Sequence, residues 1–494
     1  MRAVLLRQTP CRTAVGASVL GLALAGLLAP AAWASPDGTL RVSAPSATAR
    51  YVGTWAASPQ PPTPPNLAVP TDFSARGFSD QTVRQVVHTS TGGTSLLLRF
   101  SNAFGTRPVG LSQVSVGLPA GGGRVVPGSL RRVTFTGSRS ATIPRGAELY
   151  SDPVPMAVGA ESDVIISTYL RGATGPATYH SLGKQTNYVG AGNHVWQTDW
   201  SGGSTTNSWY FLDGVDVAGT TRASVVAVGD SITDGFQSTA NANNRWPNYL
   251  SQRLQAQPGN ALAVVDEGIS GNRVLHNSPC FGTNLLSRLD RDVLTQDGAK
   301  TVILLEGIND IGFSQTPNTG CTAPNTSVSA QQIIAGYQQV IRRAHLNGLK
   351  VLGGTLTSFK GAAYWSPAAE VKRETVNTFI RTSGAYDGVV DFAAAIADPG
   401  QPKQMAPQYD SGDHLHPNDA GYARMGAAVD LSLLQRSTPA GAVRRQLVST
   451  PTGVAAGNGG QAEGSTSALP VLLLLVGGAV AGTAGWRLLP RRRS

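Results

Sequence analysis

Apolar and polar positions alternate in two different ways along the chain, and the first pattern fills residues 35–220. Short alternating or apolar runs recur there, for example at residues 94–100, 113–118 and 162–170, and turns containing Gly or Pro separate them. This pattern predicts strands joined by turns. Because no amphipathic helix of convincing length interrupts the runs, we expect residues 35–220 to form an all-β, jelly-roll-like sandwich.

The second pattern covers residues 221–436, where apolar strands alternate with helices. Strands are predicted at residues 224–230, 261–268, 301–307, 350–356 and 388–392. An apolar stripe with helical spacing predicts a helix at residues 329–346, and further helices are expected at residues 246–257, 368–382 and 418–434. The alternation predicts an α/β fold, with a parallel sheet covered by helices on both faces. Sites in such sheets form beyond the carboxyl ends of the strands.

The N-terminal residues 1–34 have the features of a secretory signal peptide. Arg2, Arg7 and Arg12 precede an apolar stretch at residues 19–28, and "AWA" (residues 32–34) then offers small residues for cleavage. An N-terminal membrane anchor is the alternative, although the apolar stretch is shorter than the roughly 20 residues that span a bilayer. The sequence therefore predicts export.

The C-terminal segment predicts attachment to a membrane. Small and polar residues at positions 437–467 indicate a flexible stalk, and residues 468–486 form a 19-residue stretch without charge. A helix of that length covers about 28 Å, close to the hydrocarbon thickness of a bilayer. The arginines in residues 487–494 predict a cytoplasmic tail, which leaves the rest outside the cell. A sorting signal that a membrane protease removes would look similar.

The net charge of +10 belongs to the two ends of the chain. Residues 1–34 contribute +3 and residues 438–494 contribute +5, which leaves +2 for the folded part. A basic face for nucleic acid is therefore not expected. The dispersed histidines predict no metal site, no phosphate-binding glycine loop is present, and we expect no cofactor.

Residues suited to nucleophilic catalysis follow the ends of the predicted strands. Ser231 lies in "VAVGDSITDG", Gly271 in "GISGNRV" and Asn309 in "EGIND", while Asp413 and His416 lie in "DHLHPND" before a helix. A serine hydroxyl needs a base, an acid that orients the base, and donors for the oxyanion that forms. His416 can take the proton, Asp413 can orient the imidazole, and the Asn309 amide can donate to negative charge.

These four blocks, in this order, resemble the GDSL family and specifically its SGNH hydrolase subgroup. The resemblance covers about residues 223–434. It implies an α/β/α sandwich and membership of a group of serine esterases, lipases and carbohydrate deacetylases. It also implies an oxyanion hole formed by the N–H groups of Ser231 and Gly271 and by the side-chain amide of Asn309. The expected activity is hydrolysis of carboxylic esters through an acyl-enzyme.

Several neighbouring residues offer alternative roles. His414 is a rival base and Asp410 a rival orienting acid. Asp230 and Asp234 are expected to support the serine loop by hydrogen bonds. The remaining polar neighbours, interpreted as supporting or turn residues or simply as loop, are Asn272, Asp310 and His276.

Cys280 and Cys321 remain after Cys11 leaves with the signal peptide. Two cysteines in an exported protein predict one disulfide, and two free thiols are the alternative. A bridge across 41 residues would stabilise the fold by about 4 kcal/mol in the chain-entropy model. Both cysteines follow site blocks, so we hypothesise that the bridge fixes the rim that carries Gly271 and Asn309.

The sequence does not decide which ester is the substrate. A lipid and an acylated glycan are both compatible, which leaves an esterase or lipase, a polysaccharide O-acetyl esterase and an acyltransferase as candidates. The aromatics of "WQTDW" and "SWYF" (residues 196–200 and 208–211) would stack on sugars or lie in the core, and "YWSP" (residues 364–367) would line a cleft or cap the sheet. A cell-surface carbohydrate-binding protein with a vestigial hydrolase domain is an alternative of another class.

Overall fold

The computed structural model describes residues 50–435 except 258, 260 and 261. The predicted signal peptide (1–34), stalk (437–467), membrane span (468–486) and basic tail (487–494) lie outside these residues. Within the described residues, no helix is both long enough and apolar enough to cross a bilayer. Export and membrane attachment therefore stay predictions.

The first part of the described chain consists of strands, turns and loops. Its strands are β1 (Tyr51–Ala56), β2 (Gln81–Thr89), β3 (Gly93–Ser101), β4 (Val109–Leu111), β5 (Gln113–Gly117), β6 (Pro119–Gly121), β7 (Arg124–Val125), β8 (Arg131–Val133), β9 (Ala141–Ile143), β10 (Glu148–Tyr150), β11 (Val154–Val158), β12 (Ser162–Leu170), β13 (Tyr179–His180), β14 (Asn187–Ala191), β15 (Ser204–Thr206), β16 (Trp209–Tyr210) and β17 (Leu212–Ala218).

Two antiparallel sheets form the predicted sandwich. One has the order β1-β17-β3-β10, with β11 also paired to β3, and the other has the order β15-β14-β2-β12-β5-β8. Alternate residues of facing strands, such as Leu96 and Leu98 of β3 and Val164 and Ile166 of β12, share one apolar core. The period-2 pattern of the sequence therefore reports which face of each strand is buried.

The second part alternates strands and helices. Its elements are β18 (Ala223–Gly229), α1 (Ser231–Asp234), α2 (Trp246–Gln255), β19 (Leu262–Gly268), α3 (Leu285–Leu289), β20 (Ala299–Leu305), α4 (Ile308–Gly312), α5 (Ala330–Leu346), β21 (Lys350–Gly354), α6 (Pro367–Thr382), β22 (Gly388–Val390), α7 (Phe392–Ile396), β23 (Ala397–Asp398), β24 (Gln401–Met405), α8 (Asp419–Ala428) and α9 (Leu431–Gln435). A π-helical turn (Asp290–Leu294) follows α3, and two 3-10 turns (Phe313–Gln315 and Gly320–Thr322) follow α4.

Five of these strands form a parallel sheet with the order β19-β18-β20-β21-β22, and β23 and β24 form a separate antiparallel pair. From β18, the chain first adds β19 at one edge of the sheet and then adds β20, β21 and β22 toward the opposite edge. Because parallel crossovers are right-handed, helices on opposite steps cover opposite faces. Accordingly α2 packs with α8 on one face, and α5 packs with α3 and α6 on the other. The three-layer α/β/α fold expected from the sequence is confirmed.

Local sequence explains where the long helix begins. The Ser329 hydroxyl accepts the backbone N–H of Gln332, and the Gln332 side chain accepts the N–H of Ser329 in return, so a capping box starts α5. Ile333, Tyr337 and Val340 lie on its buried face, as the apolar stripe predicts.

The predicted helix at residues 418–434 is wrong in one respect, because the chain forms α8 and α9 instead. Val429 leaves the helix with an extended conformation, φ −70° and ψ 116°. Its carbonyl and that of Gly426 accept hydrogen bonds from the Arg253 guanidinium at 2.9 and 2.6 Å. The Arg253 side chain, distant along the chain, thus supplies donors to carbonyls that the N–H groups of a further helical turn would otherwise bind.

The two parts of the described chain pack together in one compact unit. β1 lies beside β19, and the Gly53 N–H donates to the carbonyl of Asp297 at 2.9 Å. Ala56 belongs to the core of the α/β part. The two antiparallel sheets of the sandwich end with β17, and the parallel sheet begins with β18.

Candidate active site

The register of the parallel sheet brings three of the predicted segments to one edge. Gly229, the last residue of β18, pairs with Gly268 of β19 on one side and Leu305 of β20 on the other. Ser231, Gly271 and Asn309 come two, three and four residues after Gly229, Gly268 and Leu305, respectively. Because parallel strands end at a common edge, these residues come together there.

A tight turn presents Ser231 at this edge. A Cβ on Gly229 would lie 2.2 Å from the carbonyl oxygen of Leu305, so only glycine allows the strand to end so close to β20. The Asp230 carboxylate then accepts the N–H of Ile232 at 3.1 Å and caps α1. Ser231 is therefore the first residue of α1 and is itself buried.

Ser231, His416 and Asp413 form a continuous hydrogen-bonded chain. Ser231 Oγ lies 2.8 Å from His416 Nε2, and His416 Nδ1 lies 2.7 Å from Asp413 Oδ2. An ionised carboxylate can only accept, so Nδ1 carries the proton and Nε2 is free to accept one from the serine. Asp413 Oδ1 also accepts the backbone N–H of His416 at 2.8 Å, which fixes the loop on which both residues lie.

The environment of Asp413 keeps its carboxylate ionised. Partial burial raises its pKa, but the hydrogen bonds from the His416 side chain and backbone outweigh burial and hold the pKa well below the usual value. A fixed negative charge therefore faces the imidazole across the neutral pH range.

His414 and Asp410, the rival base and acid, form a separate pair. His414 Nδ1 lies 2.6 Å from Asp410 Oδ2, and the His414 side chain is 55% exposed. His414 has φ +61°, so its side chain leaves the loop in a different direction from that of His416. Two pairs of the same kind therefore occur in one loop, and one of them reaches Ser231.

Gly271 and Asn309 lie at the same edge of the sheet as Ser231. Gly271 has φ +78°, and a Cβ there would lie 2.4 Å from the Phe281 ring. Within the described residues, neither the N–H of Ser231 nor that of Gly271 donates a hydrogen bond. The Asn309 amide is oriented at both ends: Nδ2 donates to the Asn272 carbonyl at 3.0 Å, and Oδ1 accepts from the Tyr364 hydroxyl at 3.3 Å.

Other polar residues of the blocks hold loops in place. Asp310 accepts the N–H groups of Val274 and Leu275 at 2.7 and 3.0 Å. Burial raises the pKa of Asp310 to about 6, and burial raises that of Asp230 to about 7.

Asn272 and His276 lie in the loop after β19. The Asn272 amide donates to the carbonyls of Phe281 and Thr283 at 2.6 and 2.9 Å, which closes the loop. Burial, together with the positive charge of Arg273, lowers the pKa of His276.

Sequence reasoning missed two buried residues beneath the site. The Arg288 guanidinium donates to the carbonyl of Gly229 and to Asn272 Oδ1, both at 2.9 Å. His180, from the β-sandwich, lies 3.1 Å from Asp234. These partners lie 16 to 59 residues away along the chain, so no local pattern marks them.

Sequence reasoning also missed Phe236. The one feature of the sequence that could have indicated it is an aromatic residue five positions after Ser231. It is 36% exposed, and its ring centroid lies 4.6 Å from that of His416. It therefore provides a partly exposed apolar surface beside the His416 ring.

Cys280 and Cys321 are joined by a disulfide bond. It connects the loop after Gly271 with the loop after Asn309. That the bridge fixes the rim of the site stays a prediction. Within the described residues, no group of three or more His, Cys, Asp or Glu side chains is placed to hold a metal ion.

The aromatic segments divide between core and surface. Trp209, Tyr210 and Phe211 lie in the core of the sandwich and are not available for stacking on a sugar. Trp196 is 38% exposed, with the Arg132 guanidinium 4.5 Å above its ring. Tyr364 lies at the site through its bond to Asn309.

Residues 227–424 match the sequence profile of the GDSL-like Lipase/Acylhydrolase family. This part of the chain is a GDSL-like domain. The GDSL-like domain contains all five residues expected at the site, and its family supports a hydrolase of the esterase type. The comparison with curated proteins finds no match.

Solved structures similar to the chain include three hydrolases. A GDSL-like lipase from Bacteroides thetaiotaomicron is 22% identical with a TM-score of 0.31, and the match covers 43% of this chain and 88% of that one. The α/β hydrolase LAE5 from the metagenome of Lake Arreo is 21% identical with a TM-score of 0.33, covering 42% and 94%. A catalytic mutant of the acetylxylan esterase Axe2 from Geobacillus stearothermophilus is 21% identical with a TM-score of 0.34, covering 42% and 92%.

Proposed function

We propose that this protein hydrolyses carboxylic esters through an acyl-enzyme, with Ser231 as nucleophile, His416 as general base and acid, and Asp413 as the residue that orients His416. The observation that carries the proposal is the unbroken chain of 2.8 and 2.7 Å contacts from Ser231 Oγ through the imidazole to Asp413. This arrangement activates a serine hydroxyl that would otherwise be a weak nucleophile.

In the first half of the reaction, Ser231 Oγ attacks the ester carbonyl while its proton passes to His416 Nε2. The carbonyl oxygen becomes an oxyanion that accepts hydrogen bonds from the N–H groups of Ser231 and Gly271 and from Asn309 Nδ2. When the tetrahedral intermediate collapses, the ester C–O bond breaks, and the imidazolium gives its proton to the departing alkoxide. The acyl group is then bound to Ser231.

In the second half, water attacks the acyl-enzyme and gives a proton to His416 Nε2. The intermediate collapses, the bond to Ser231 Oγ breaks, and the imidazolium returns the proton to the serine. The same donors hold the second oxyanion. One such donor typically contributes about 3 to 4 kcal/mol to lowering the barrier.

We further propose that the enzyme acts outside the cell and that its substrate is a lipid or an acylated glycan. The predicted signal peptide supports export, and the bridge between Cys280 and Cys321 is typical of oxidising compartments. A membrane span at residues 468–486 would hold the enzyme at the cell surface.

The Ser231→Ala variant tests the reaction. We expect it to abolish hydrolysis of p-nitrophenyl acetate and labelling by a fluorophosphonate, because both need the serine oxygen. Ser238→Ala is the matched control, since the Ser238 hydroxyl bonds only to the nearby carbonyl of Gly235 among the described residues. It should retain wild-type turnover. Equal circular dichroism spectra would show that both variants fold, and hydrolysis by folded Ser231→Ala protein would refute the proposal.

A panel of esters separates the substrate classes. p-Nitrophenyl esters of increasing acyl length, run beside acetylated xylan and with or without an alcohol acceptor, distinguish a lipase, a polysaccharide O-acetyl esterase and an acyltransferase. Absence of labelling at Ser231 in folded wild-type protein would favour a binding protein with a vestigial hydrolase domain.

A further inference from the structure

Gly271 is flanked by two residues that buried charged side chains hold in place. Before it, the N–H and the hydroxyl of Ser270 both donate to Asp234 Oδ2, at 2.8 and 2.7 Å. After it, Asn272 Oδ1 accepts from Arg288 Nε at 2.9 Å. The Asp234 and Arg288 side chains are 3% and 0% exposed. The segment that carries the Gly271 N–H is therefore fixed from both sides.

Each of these charged side chains is in turn held by the β-sandwich. His180 Nε2 lies 3.1 Å from Asp234 Oδ1, and the Ser58 hydroxyl accepts from Arg288 Nη1 at 2.9 Å. His180 Nδ1 also lies 3.0 Å from the Ser58 carbonyl oxygen. Two series of contacts therefore lead to the residues beside Gly271. One runs from His180 through Asp234 to Ser270, and the other runs from Ser58 through Arg288 to Asn272. Ser58 links them, because its carbonyl also contacts His180.

The contacts of His180 require a charged imidazole. A carboxylate and a backbone carbonyl can only accept, so both ring nitrogens must carry protons. Burial lowers the pKa of His180. The charge of Asp234 and the hydrogen bonds to Asp234 and Ser58 raise the pKa by more than burial lowers it, so the net shift is upward. The imidazolium thus neutralises a carboxylate that would otherwise be a buried, unpaired charge.

We infer that His180 and Ser58 are positioning residues of the active site, through which the β-sandwich orients the oxyanion-binding N–H of Gly271. The inference rests on the proposed ester hydrolysis. Arg288 also donates to the Gly229 carbonyl at 2.9 Å, two residues before Ser231. One network thus supports both backbone donors of the oxyanion hole.

The expected consequence is a loss of transition-state stabilisation with little loss of substrate binding. Without His180, Asp234 loses its cation and can no longer hold Ser270 in one place. A displacement of about 1 Å in a catalytic group can cost on the order of 100-fold in rate. We expect His180→Ala to lower kcat for p-nitrophenyl acetate by about 10- to 100-fold, less than the roughly 100- to 1,000-fold typical of losing a donor outright. KM should change by less than about threefold.

Two further variants separate positioning from general support. His180→Gln keeps one side-chain N–H for Asp234, so it should recover part of the kcat that His180→Ala loses. Ser58→Ala removes the hydroxyl that accepts from Arg288 Nη1 and donates to Glu267 Oε2, and it should also lower kcat. In an Asp234→Asn background, His180→Ala should have little additional effect, because residues that act through one partner are not additive.

His88→Gln is the matched control. His88 is also a histidine of the β-sandwich held by carboxylates, with a side chain that is 12% exposed, Nδ1 2.7 Å from Asp163 and Nε2 3.3 Å from Glu161. It makes no described hydrogen bond to residues 270–272. This variant should lose stability but keep the wild-type kcat.

Three outcomes would overturn the inference: unchanged kcat in folded His180→Gln and Ser58→Ala proteins, an equal loss of kcat in His88→Gln, or full additivity of His180→Ala with Asp234→Asn. Should His180→Ala fail to fold, His180→Gln and Ser58→Ala carry the test, because each removes less. Activity that survives Ser231→Ala would instead refute the proposed reaction, so the two failures are distinguishable.

Discussion

At the scale of single residues, the loop at residues 410–416 contains two histidine–aspartate pairs of nearly equal geometry. His416 and Asp413 are 2.7 Å apart, and His414 and Asp410 are 2.6 Å apart. The sequence favours His416 as base and Asp413 as orienting acid, and it leaves His414 and Asp410 as rivals for these roles. The left-handed backbone at His414 turns its ring away, and the His416 ring is directed at Ser231.

These pairs give a matched test of the role of the carboxylate. Asp413→Asn should lower kcat by about 1,000- to 10,000-fold, because an amide can donate to Nδ1 and so favours the tautomer whose Nε2 cannot accept the serine proton. Asp410→Asn makes the same change in the exposed pair and should leave kcat within about threefold. Steady-state hydrolysis of p-nitrophenyl acetate measures both. Comparable losses in the two variants would contradict the assignment of Asp413.

At the scale of elements, a histidine links strands of the sandwich. His88 on β2 is directly opposite Asp163 on β12 in the register, and Glu161 precedes that strand. Burial lowers the pKa of His88, but the hydrogen bonds to Asp163 and Glu161 outweigh it and raise the pKa from 6.5 to about 9. The pair therefore stabilises the folded state when His88 is protonated.

The pH dependence of stability follows from the sign of this shift. The stabilisation is fully present below pH 6.5 and is lost as the pH rises through about 9. It amounts to about 3 kcal/mol. We expect the difference in unfolding free energy between wild type and His88→Gln to shrink between pH 6.5 and 9.5, since other groups contribute equally to both proteins. Urea unfolding at each pH measures it, and a difference independent of pH would contradict the pairing.

At the scale of the whole molecule, buried polar contacts join the sandwich to the α/β part. Ser58 contacts Glu267 and Arg288, and His180 contacts Asp234, all with little or no exposure to water. Separating the parts would leave these charges without partners. Breaking one buried pair typically costs about 3 to 5 kcal/mol.

We therefore expect the described parts to unfold together. Calorimetry of the wild-type protein should show one transition, with equal calorimetric and van't Hoff enthalpies. Loss of esterase activity should follow the same midpoint as the loss of β-sheet signal in circular dichroism. Two separated transitions would show that the contacts between the parts are weaker than their burial indicates.

The sequence by itself determined the periodicity of the elements and the residues that flank the strand ends. Hydrophobic spacing predicts the sandwich, the parallel sheet and helix α5, because it reports which face of an element is buried. Ser231, Gly271, Asn309, Asp413 and His416 could be selected because each chemistry-bearing residue follows a predicted strand or precedes a predicted helix.

Tertiary structure decided what local patterns do not encode. It ended α8 at Val429 through Arg253, directed His416 rather than His414 at Ser231, and placed Arg288 and His180 beneath the site. In each case the deciding partner lies far away along the chain, and its contact forms only when the core closes. Buried polar groups must find partners wherever the fold provides them, so their positions follow from packing and not from sequence spacing.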